Sequence, residues 1–434
     1  MSARLNARRA FYRLAQLLGG AVVGQALLSA ANLAAGVLLL RYAHAEQYGG
    51  YVLVGSAVAL LGALQAAFVG PPLVQRLAEL PAAARRALAA GAWREQRRLI
   101  LQVLLIGAPL LALAALATRA SPGLAALSAA ALLASAAALY RNFHRLLLQF
   151  HRRAWPILCG DMLYAAVLVL GILLSCRLPG AALMATLALG AAALLSGSYG
   201  ARALRRDAAG DDASRGVLRQ LAPLGLWSAG GAAIHWTFNQ GYNYLVAALA
   251  DVGTVGAIAG TRLALMPVNL LSTGIGSTLL PLTVDSLQRD GARRTLRRLA
   301  LMAGLIALLA LLYAGALWLL RDWLFDVVLR KSFAQRDTLL LLWMLAVVAA
   351  AVREPLIYLV VARQRLRALT LATGGAAIAA VGTVLLATPR YGAPGAVGGV
   401  LLGELCSLAA VLFLCWRECR PARVAPLPGM EMTT

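Results

Sequence analysis

The sequence predicts an all-α polytopic membrane protein: twelve transmembrane helices in two six-helix lobes related by a pseudo-twofold axis normal to the membrane. Three observations lead there. The 434 residues are 61% hydrophobic and only 13% charged, with a mean hydropathy of +0.76, whereas a soluble domain carries roughly a quarter charged residues. The apolar stretches reach the length of about 20 residues that a membrane crossing needs. The arginines alternate in abundance from one connection to the next.

Taken in order, the predicted spans are 14–40, 47–75, 99–118, 120–140, 154–176 and 178–201, then 220–250, 252–284, 299–320, 338–362, 368–389 and 391–416. Several exceed the minimum length, which implies tilt or helix continuing beyond the bilayer. The first run follows Arg4, Arg8, Arg9 and Arg13. It is longer than a signal-peptide core and has no small-residue cleavage site, so it reads as a membrane anchor. Residues 1–201 form the expected N-terminal lobe and 202–219 a cytoplasmic linker containing Asp207, Gly210, Asp211 and Asp212. Residues 220–434 form the expected C-terminal lobe with a short cytoplasmic tail.

With both termini cytoplasmic, thirty of the forty Lys and Arg fall in inside segments and eight in outside segments. That bias is the positive-inside rule, and it explains the net charge of +23 without nucleic acid. Residues 76–98 read as a short amphipathic helix on the inner surface, anchored by Trp93.

The halves resemble one another weakly. The first hairpin turns at Ala45-Glu46-Gln47-Tyr48-Gly49-Gly50, and spans seven and eight turn at Ala250-Asp251-Val252-Gly253. Both halves begin inside, so the repeat is parallel, an arrangement that suits a transporter with a central cavity. Pro267 removes a backbone donor and is expected to kink the eighth span.

Polar residues inside spans are the candidate site. His235, Asn239 and Asn243 recur every four residues on span seven, and Arg262, Asn269 and Thr273 follow at seven and four on span eight. At about 100° per residue each set falls on one face. In span one Gln25, Ser29, Asn32 and Gly36 do the same, with Arg41 at the outer end. Such stripes are expected to face a cavity or another helix.

Intramembrane charge is functional by default. Arg262 lies about 15 Å below the outer end of its span, at 1.5 Å per residue. Arg353 and Glu354 sit in the inner half of span ten, Asp161 one to two turns inside span five, and Glu404 near the middle of span twelve. Arginine binds phosphate bidentately and never deprotonates. A desolvated Glu404 or Asp161 suits a coupling proton or sodium ion, with Glu354 beside them. The alternative is interhelical pairing, for instance of Arg353 with Glu404 or Asp161. His235 reads either as a ligand or proton site or as a packing residue.

Enzyme signatures are missing: no Walker A motif, no Ser/His/Asp set, no paired acids and no large outside loop. The five cysteines, Cys159, Cys176, Cys406, Cys415 and Cys419, lie in or beside spans at no metal-ligand spacing.

The chain resembles the polysaccharide flippases, the O-antigen and exopolysaccharide transporters of the multidrug/oligosaccharidyl-lipid/polysaccharide exporter superfamily. The matching residues are Leu40-Arg41-Tyr42…Glu46-Gln47-Tyr48-Gly49 and Val255-Gly256-Ala257…Arg262-Leu263…Pro267…Leu279-Leu280-Pro281. The resemblance spans essentially the whole length. It implies a bacterial inner-membrane protein that translocates undecaprenyl-pyrophosphate-linked oligosaccharide outward by alternating access, through a cationic cavity coupled to an ion gradient. No cofactor is expected beyond a coupling Na+ or H+. The implied partners are the lipid-linked oligosaccharide, membrane lipids and a polysaccharide polymerase or assembly proteins. Substrate-binding roles are expected for Arg262, Asn269, Arg41, Gln25, Asn32, His235, Asn239 and Arg353, and ion coupling for Glu404, Asp161 and Glu354. Two other readings stay open: a cation-coupled drug exporter of the same superfamily, and a non-transporting subunit of a polysaccharide assembly complex, which would have sealed lobes and no central cavity.

Overall fold

A computed structural model describes residues 23–176, 178, 180–204 and 216–419, and the backbone alone at 82, 83, 269–278 and 281. Helix α1 is Val23–Tyr42, α2 Ala45–Glu79, α3 Ala82–Ala117, α4 Pro122–Phe150, α5 Ala154–Ser175 and α6 Ala181–Ala203. Helix α7, Val217–Trp236, passes through a π-helical turn at Thr237–Gly241 into α8, Tyr242–Leu249. There follow α9 Val252–Leu263, α10 Met266–Leu319, a second π-helical stretch Trp323–Leu329, α11 Arg336–Ala362, α12 Leu366–Tyr391 and α13 Ala393–Cys419. Local chemistry sets the starts. Ser121 Oγ accepts from Leu124 N with Pro122 in the first turn of α4, and Asp251 accepts from Thr254 N at 2.8 Å to cap α9. Within α10, Gly291 (φ 76°) takes a conformation that side chains with a Cβ rarely adopt, and the helix axis turns there.

Ten helices among the described residues are long and apolar enough to cross a membrane. The expected spans seven and eight are not among them; both are interrupted, and 269–278 of span eight are described by backbone alone. Span seven contains the π turn. Span eight stops at Leu263 and restarts at Met266, with Pro267 in the new first turn and Tyr313 Oη donating to the freed Ala264 carbonyl at 2.7 Å. Proline at the start of a helix costs nothing, so the expected kink is a break. The surface expected to face lipid carries fully apolar side chains, with Leu116 77%, Leu319 81% and Leu371 77% exposed.

Other expectations are corrected. No separate surface helix covers 76–98: α2 runs to Glu79 and α3 begins at Ala82. Trp93 packs inward, 4.5 Å from the His144 ring and 5.5 Å from that of Phe143. At the expected linker, α6 reaches Ala203 and α7 begins at Val217, and 205–215 lie outside the described residues. Glu95 on α3 accepts from Val217 N and Leu218 N at 3.0 and 2.8 Å, which ties the start of α7 to the first half.

The two hairpin turns singled out by their similarity lie against each other. A Cβ on Gly49 would stand 1.9 Å from the Val252 carbonyl, and one on Gly256 would stand 2.2 Å from that of Ala45. The pairs 49/256 and 45/252 are both separated by 207 residues, the reciprocity that a local twofold produces. Around this crossing lies one apolar cluster shared by both halves, including Leu39, Leu40, Leu168, Tyr242, Ile258 and Leu339. Toward the arginine-rich end the core divides. Leu73, Leu77, Phe143 and Leu147 form one cluster, joined by Val217 and Leu221 of α7. Leu279, Leu299, Leu356 and Leu359 form another.

Candidate functional site

Arg262 stands near the end of α9, where the chain breaks, and meets the π turn. Its Nη1 donates to the Asn239 carbonyl at 3.1 Å and to Tyr242 Oη at 3.2 Å, and its guanidinium lies 5.0 Å over the Trp343 ring. A π turn bonds i to i+5 and disturbs the α ladder, so its carbonyls accept from outside. All three partners are neutral. Among the described residues Arg262 has no carboxylate partner. Trp343 Nε1 is also buried without a hydrogen bond.

The π turn also breaks the stripe expected on span seven. His235 is exposed, and Asn239 Nδ2 folds back onto the His235 carbonyl at 3.0 Å. Asn243 is buried against α2, donating to Ser56 Oγ and Gln240 Oε1 at 3.1 Å each. Trp236 Nε1 donates to the Ser56 carbonyl at 2.8 Å. This polar seam joins α2 to α7 and α8. Gln25 and Asn32 are exposed on α1. Arg41 is bound at the arginine-poor end, donating to the Val328 carbonyl of the second π stretch at 3.0 Å. The side chains of Asn269 and Thr273 lie outside the described residues.

The remaining charges form two clusters. In the second half Arg353 Nη1 lies 3.0 Å from Glu404 Oε2 and donates to Ser407 Oγ at 3.0 Å, while Nη2 donates to Glu354 Oε1 at 2.8 Å. The Glu404 contact is ionic without hydrogen-bond alignment, leaving Glu404 Oε2 and Arg353 Nε unpartnered. Of the two pairings open for Arg353, Glu404 is the one formed.

Asp161 belongs to the first half and has different partners. Arg141 Nη2 reaches Oδ1 at 2.7 Å, and Arg145 Nη2 reaches Oδ2 at 3.0 Å. Arg141 Nε donates to Ser196 Oγ at 3.1 Å, and that hydroxyl donates to the Gly160 carbonyl at 2.8 Å. Arg141 also lies 4.1 Å over the Tyr164 ring. Gly24 of α1 touches this cluster: a Cβ there would be 2.8 Å from Asp161 Oδ2.

Sequence reasoning placed Arg141 and Arg145 in an inside loop, but α4 carries both of them. The signal was present, because no Gly or Pro interrupts the chain from Leu124 to Trp155. Ser196 and Ser407, Gln240 and Ser56 were also missed; single hydroxyls and amides in apolar helices give no periodic pattern.

No family model matches the chain, and no curated protein sequence matches it. Solved structures do. An inward-facing multidrug resistance MATE family transporter of the MOP superfamily superposes with a TM-score of 0.75 at 13% identity, covering 90% of this chain and 94% of that one. The lipid II flippase MurJ in an inward closed conformation gives 0.74 at 11%, covering 90% and 86%. A MOP superfamily transporter from Pyrococcus furiosus gives 0.63 at 13%, covering 94% and 95%. The chain thus has the fold of MOP superfamily transporters. The ten long apolar helices among the described residues, with this fold, indicate a multi-pass membrane protein.

Proposed function

We propose that this protein is a flippase that moves an undecaprenyl-pyrophosphate-linked oligosaccharide from the inner to the outer leaflet of the bacterial inner membrane. One observation carries the reading. Arg262 is held by a carbonyl, a phenol and an indole face, while Asp161, Glu354 and Glu404 are each already paired with arginine. A guanidinium at membrane depth with no carboxylate partner among the described residues is suited to an anionic head group. A cationic drug would call for the reverse, a free acid. The exposed His235 would meet the sugars, with Gln25 and Asn32 on the α1 side.

Two further features support alternating access. The core is shared at the arginine-poor end and divided at the arginine-rich end. With the arginine-rich end cytoplasmic, rocking that parts these two clusters would admit substrate from the inner side. The two lobes, spans one to six and seven to twelve, would rock about the crossing of Gly49 and Gly256. Glu404, with Glu354 behind Arg353, is the proposed coupling site for a proton or sodium ion.

The test uses a strain that depends on this gene, with surface polysaccharide and accumulated lipid-linked intermediate as readouts. Arg262→Ala is expected to abolish most export at normal protein level. Arg262→Lys is expected to retain part of it, since lysine keeps the charge and loses the planar fork. Full complementation by the alanine variant refutes the role of Arg262. Resistance to cationic dyes without any effect on polysaccharide would favour the drug exporter. Reporter fusions at Ser121 and Ala208 check orientation, a periplasm-only reporter being active at the first and silent at the second.

A further inference from the structure

At the arginine-poor end of the first half a second kind of space lies between α2, α4 and the start of α6. It is a cavity of about 800 Å³, within the range of roughly 300–1,000 Å³ that ligand pockets occupy. None of the candidate substrate or coupling residues lines it. Leu53, Leu61, Leu124, Leu127 and Leu183 make its wall apolar. The hydroxyls in the wall are spent on backbone. Ser128 donates to the Leu124 carbonyl and Ser135 to that of Ala131, both at 2.8 Å, and Tyr244 donates to that of Leu53 at 2.7 Å. A buried water needs roughly two to four polar partners, which this wall does not offer.

The cavity gives onto the bilayer along α3. Of that helix only Leu111 borders it, and none of residues 101–117 is buried. Apolar surface without neighbours forfeits dispersion contacts, so a hydrocarbon chain of the bilayer fills such a space. The mouth carries charge. Glu46 lines it in the first turn of α2, and Val252 brings Asp251 beside it. A Cβ on Gly253 would lie 2.9 Å from Asp251 Oδ1 and 3.5 Å from Glu46 Cγ, so the two acids are neighbours. Both are exposed, and neither has a cationic partner among the described residues. On the α4 side Ser121 lines the cavity, and the exposed Arg119 precedes it by two residues.

We propose that this cavity holds an acyl chain of an outer-leaflet phospholipid whose head group ends in a primary ammonium. The ammonium meets Glu46 and Asp251, and the phosphate lies toward Arg119. The deep wall selects a hydrocarbon chain, and the mouth selects the head group. An ammonium with three hydrogens donates to both carboxylates, whereas a trimethylated one donates to neither. Gly50 and Val252 border the cavity and adjoin the crossing of Gly49 and Gly256. The lipid therefore touches the joint between the two halves, whatever substrate the carrier moves.

The test uses the full-length purified protein and native mass spectrometry. The probes are phosphatidylethanolamine, phosphatidylcholine and phosphatidylglycerol with identical chains, and undecaprenyl phosphate. Phosphatidylethanolamine is expected to be retained about two- to fivefold more than the other two phospholipids, the worth of an exposed ion pair. Glu46→Gln combined with Asp251→Asn is expected to remove that preference in a folded protein, since asparagine still caps α9. Ala131→Phe fills the cavity from α4 and is expected to lower retention of all three phospholipids. Ala57→Phe fills it from α2 and serves if the first variant does not fold. Equal retention of the three phospholipids, an unchanged preference in the charge variant, or unchanged retention in a folded cavity variant overturns the proposal. Displacement of phosphatidylethanolamine by an equal amount of undecaprenyl phosphate overturns it in favour of a carrier-lipid tail. A wild-type dimer that Ala131→Phe abolishes overturns it in favour of a second copy of the chain.

Discussion

Two buried clusters use one frame with opposite charge. Arg141 on α4 donates to Ser196 on α6, and Arg353 on α11 donates to Ser407 on α13, at 3.1 and 3.0 Å. Each arginine follows a run of three alanines, Ala136–Ala138 and Ala349–Ala351. The acids differ. The first cluster sets two arginines against Asp161, and the second sets Arg353 against both Glu354 and Glu404. Within these pairings the first cluster has one guanidinium more than carboxylates and the second one carboxylate more than guanidinium groups. A repeated arginine–serine bond is a helix–helix joint, and the acids around it set the charge balance of each cluster. Desolvation makes an unbalanced charge costly, so each excess marks a place where an ion or a charged substrate lowers the energy.

The largest break of this comparison is Asp161→Asn. It leaves two buried guanidinium groups without a carboxylate, and breaking such a pair costs about 3–5 kcal/mol. The expected outcome is loss of folded protein from the membrane fraction, read by fluorescence-detection gel filtration. Normal yield with normal melting would mean that Asp161 does not brace the first half.

Glu404→Gln is expected to cost less, on the order of 1.5–3 kcal/mol for a hydrogen bond or contact to a charged group. Arg353 keeps Glu354 and Ser407 in that variant. Protein level should hold while export loses its response to an imposed pH or sodium gradient. A variant that transports normally across both gradients would remove Glu404 as the coupling site.

A third test probes how closely the helices of each joint approach. A Cβ on Gly197, next to Ser196, would lie 2.5 Å from the Tyr140 ring and 3.0 Å from the Arg141 Cα. The residue after Ser407 is Leu408, which is half-buried, so the second joint already admits a large side chain at the matching place. Gly197→Ala should therefore destabilise by about 1–3 kcal/mol through overpacking, measured as a fall in melting temperature. Leu408→Ala forces nothing apart. It gives up part of one leucine's buried surface and should cost about 1 kcal/mol. A Gly197→Ala variant that melts like the wild type would show that the first joint is no tighter than the second.

The smallest difference separates the two hydroxyls. Ser196→Ala removes the acceptor of Arg141 and the donor of the Gly160 carbonyl, whereas Ser407→Ala removes the acceptor of Arg353 only. At about 0.5–1.5 kcal/mol per bond, the first should lower the melting temperature roughly twice as far as the second. Equal shifts would show that the Gly160 bond contributes nothing.

Much of this was legible without coordinates. Apolar runs marked the ten crossing helices found among the described residues, and the two further expected spans are the interrupted ones that carry the polar stripes. Arg353 and Glu404 were recognised as possible partners, since helices ten and twelve offered few other charges. Arg145 was not recognised. A rule that ends a span at its first arginine cuts α4 short.

The sequence by itself determined the all-helical membrane class and the charge bias between the two ends. It also marked the hairpins at Gly49 and Gly253 as similar. Those properties are sums over local residues, and hydropathy adds up in the same way wherever a helix packs. Tertiary structure decided which charges meet, because helix contacts bring together residues such as Arg353 and Glu404 or Arg141 and Ser196 that are far apart in the chain. It also decided that the Asn239 backbone, through a π turn, holds Arg262 in place of the Asn239 side chain. A π turn is stabilised by what its freed carbonyl finds across the interface, and that partner lies on another helix.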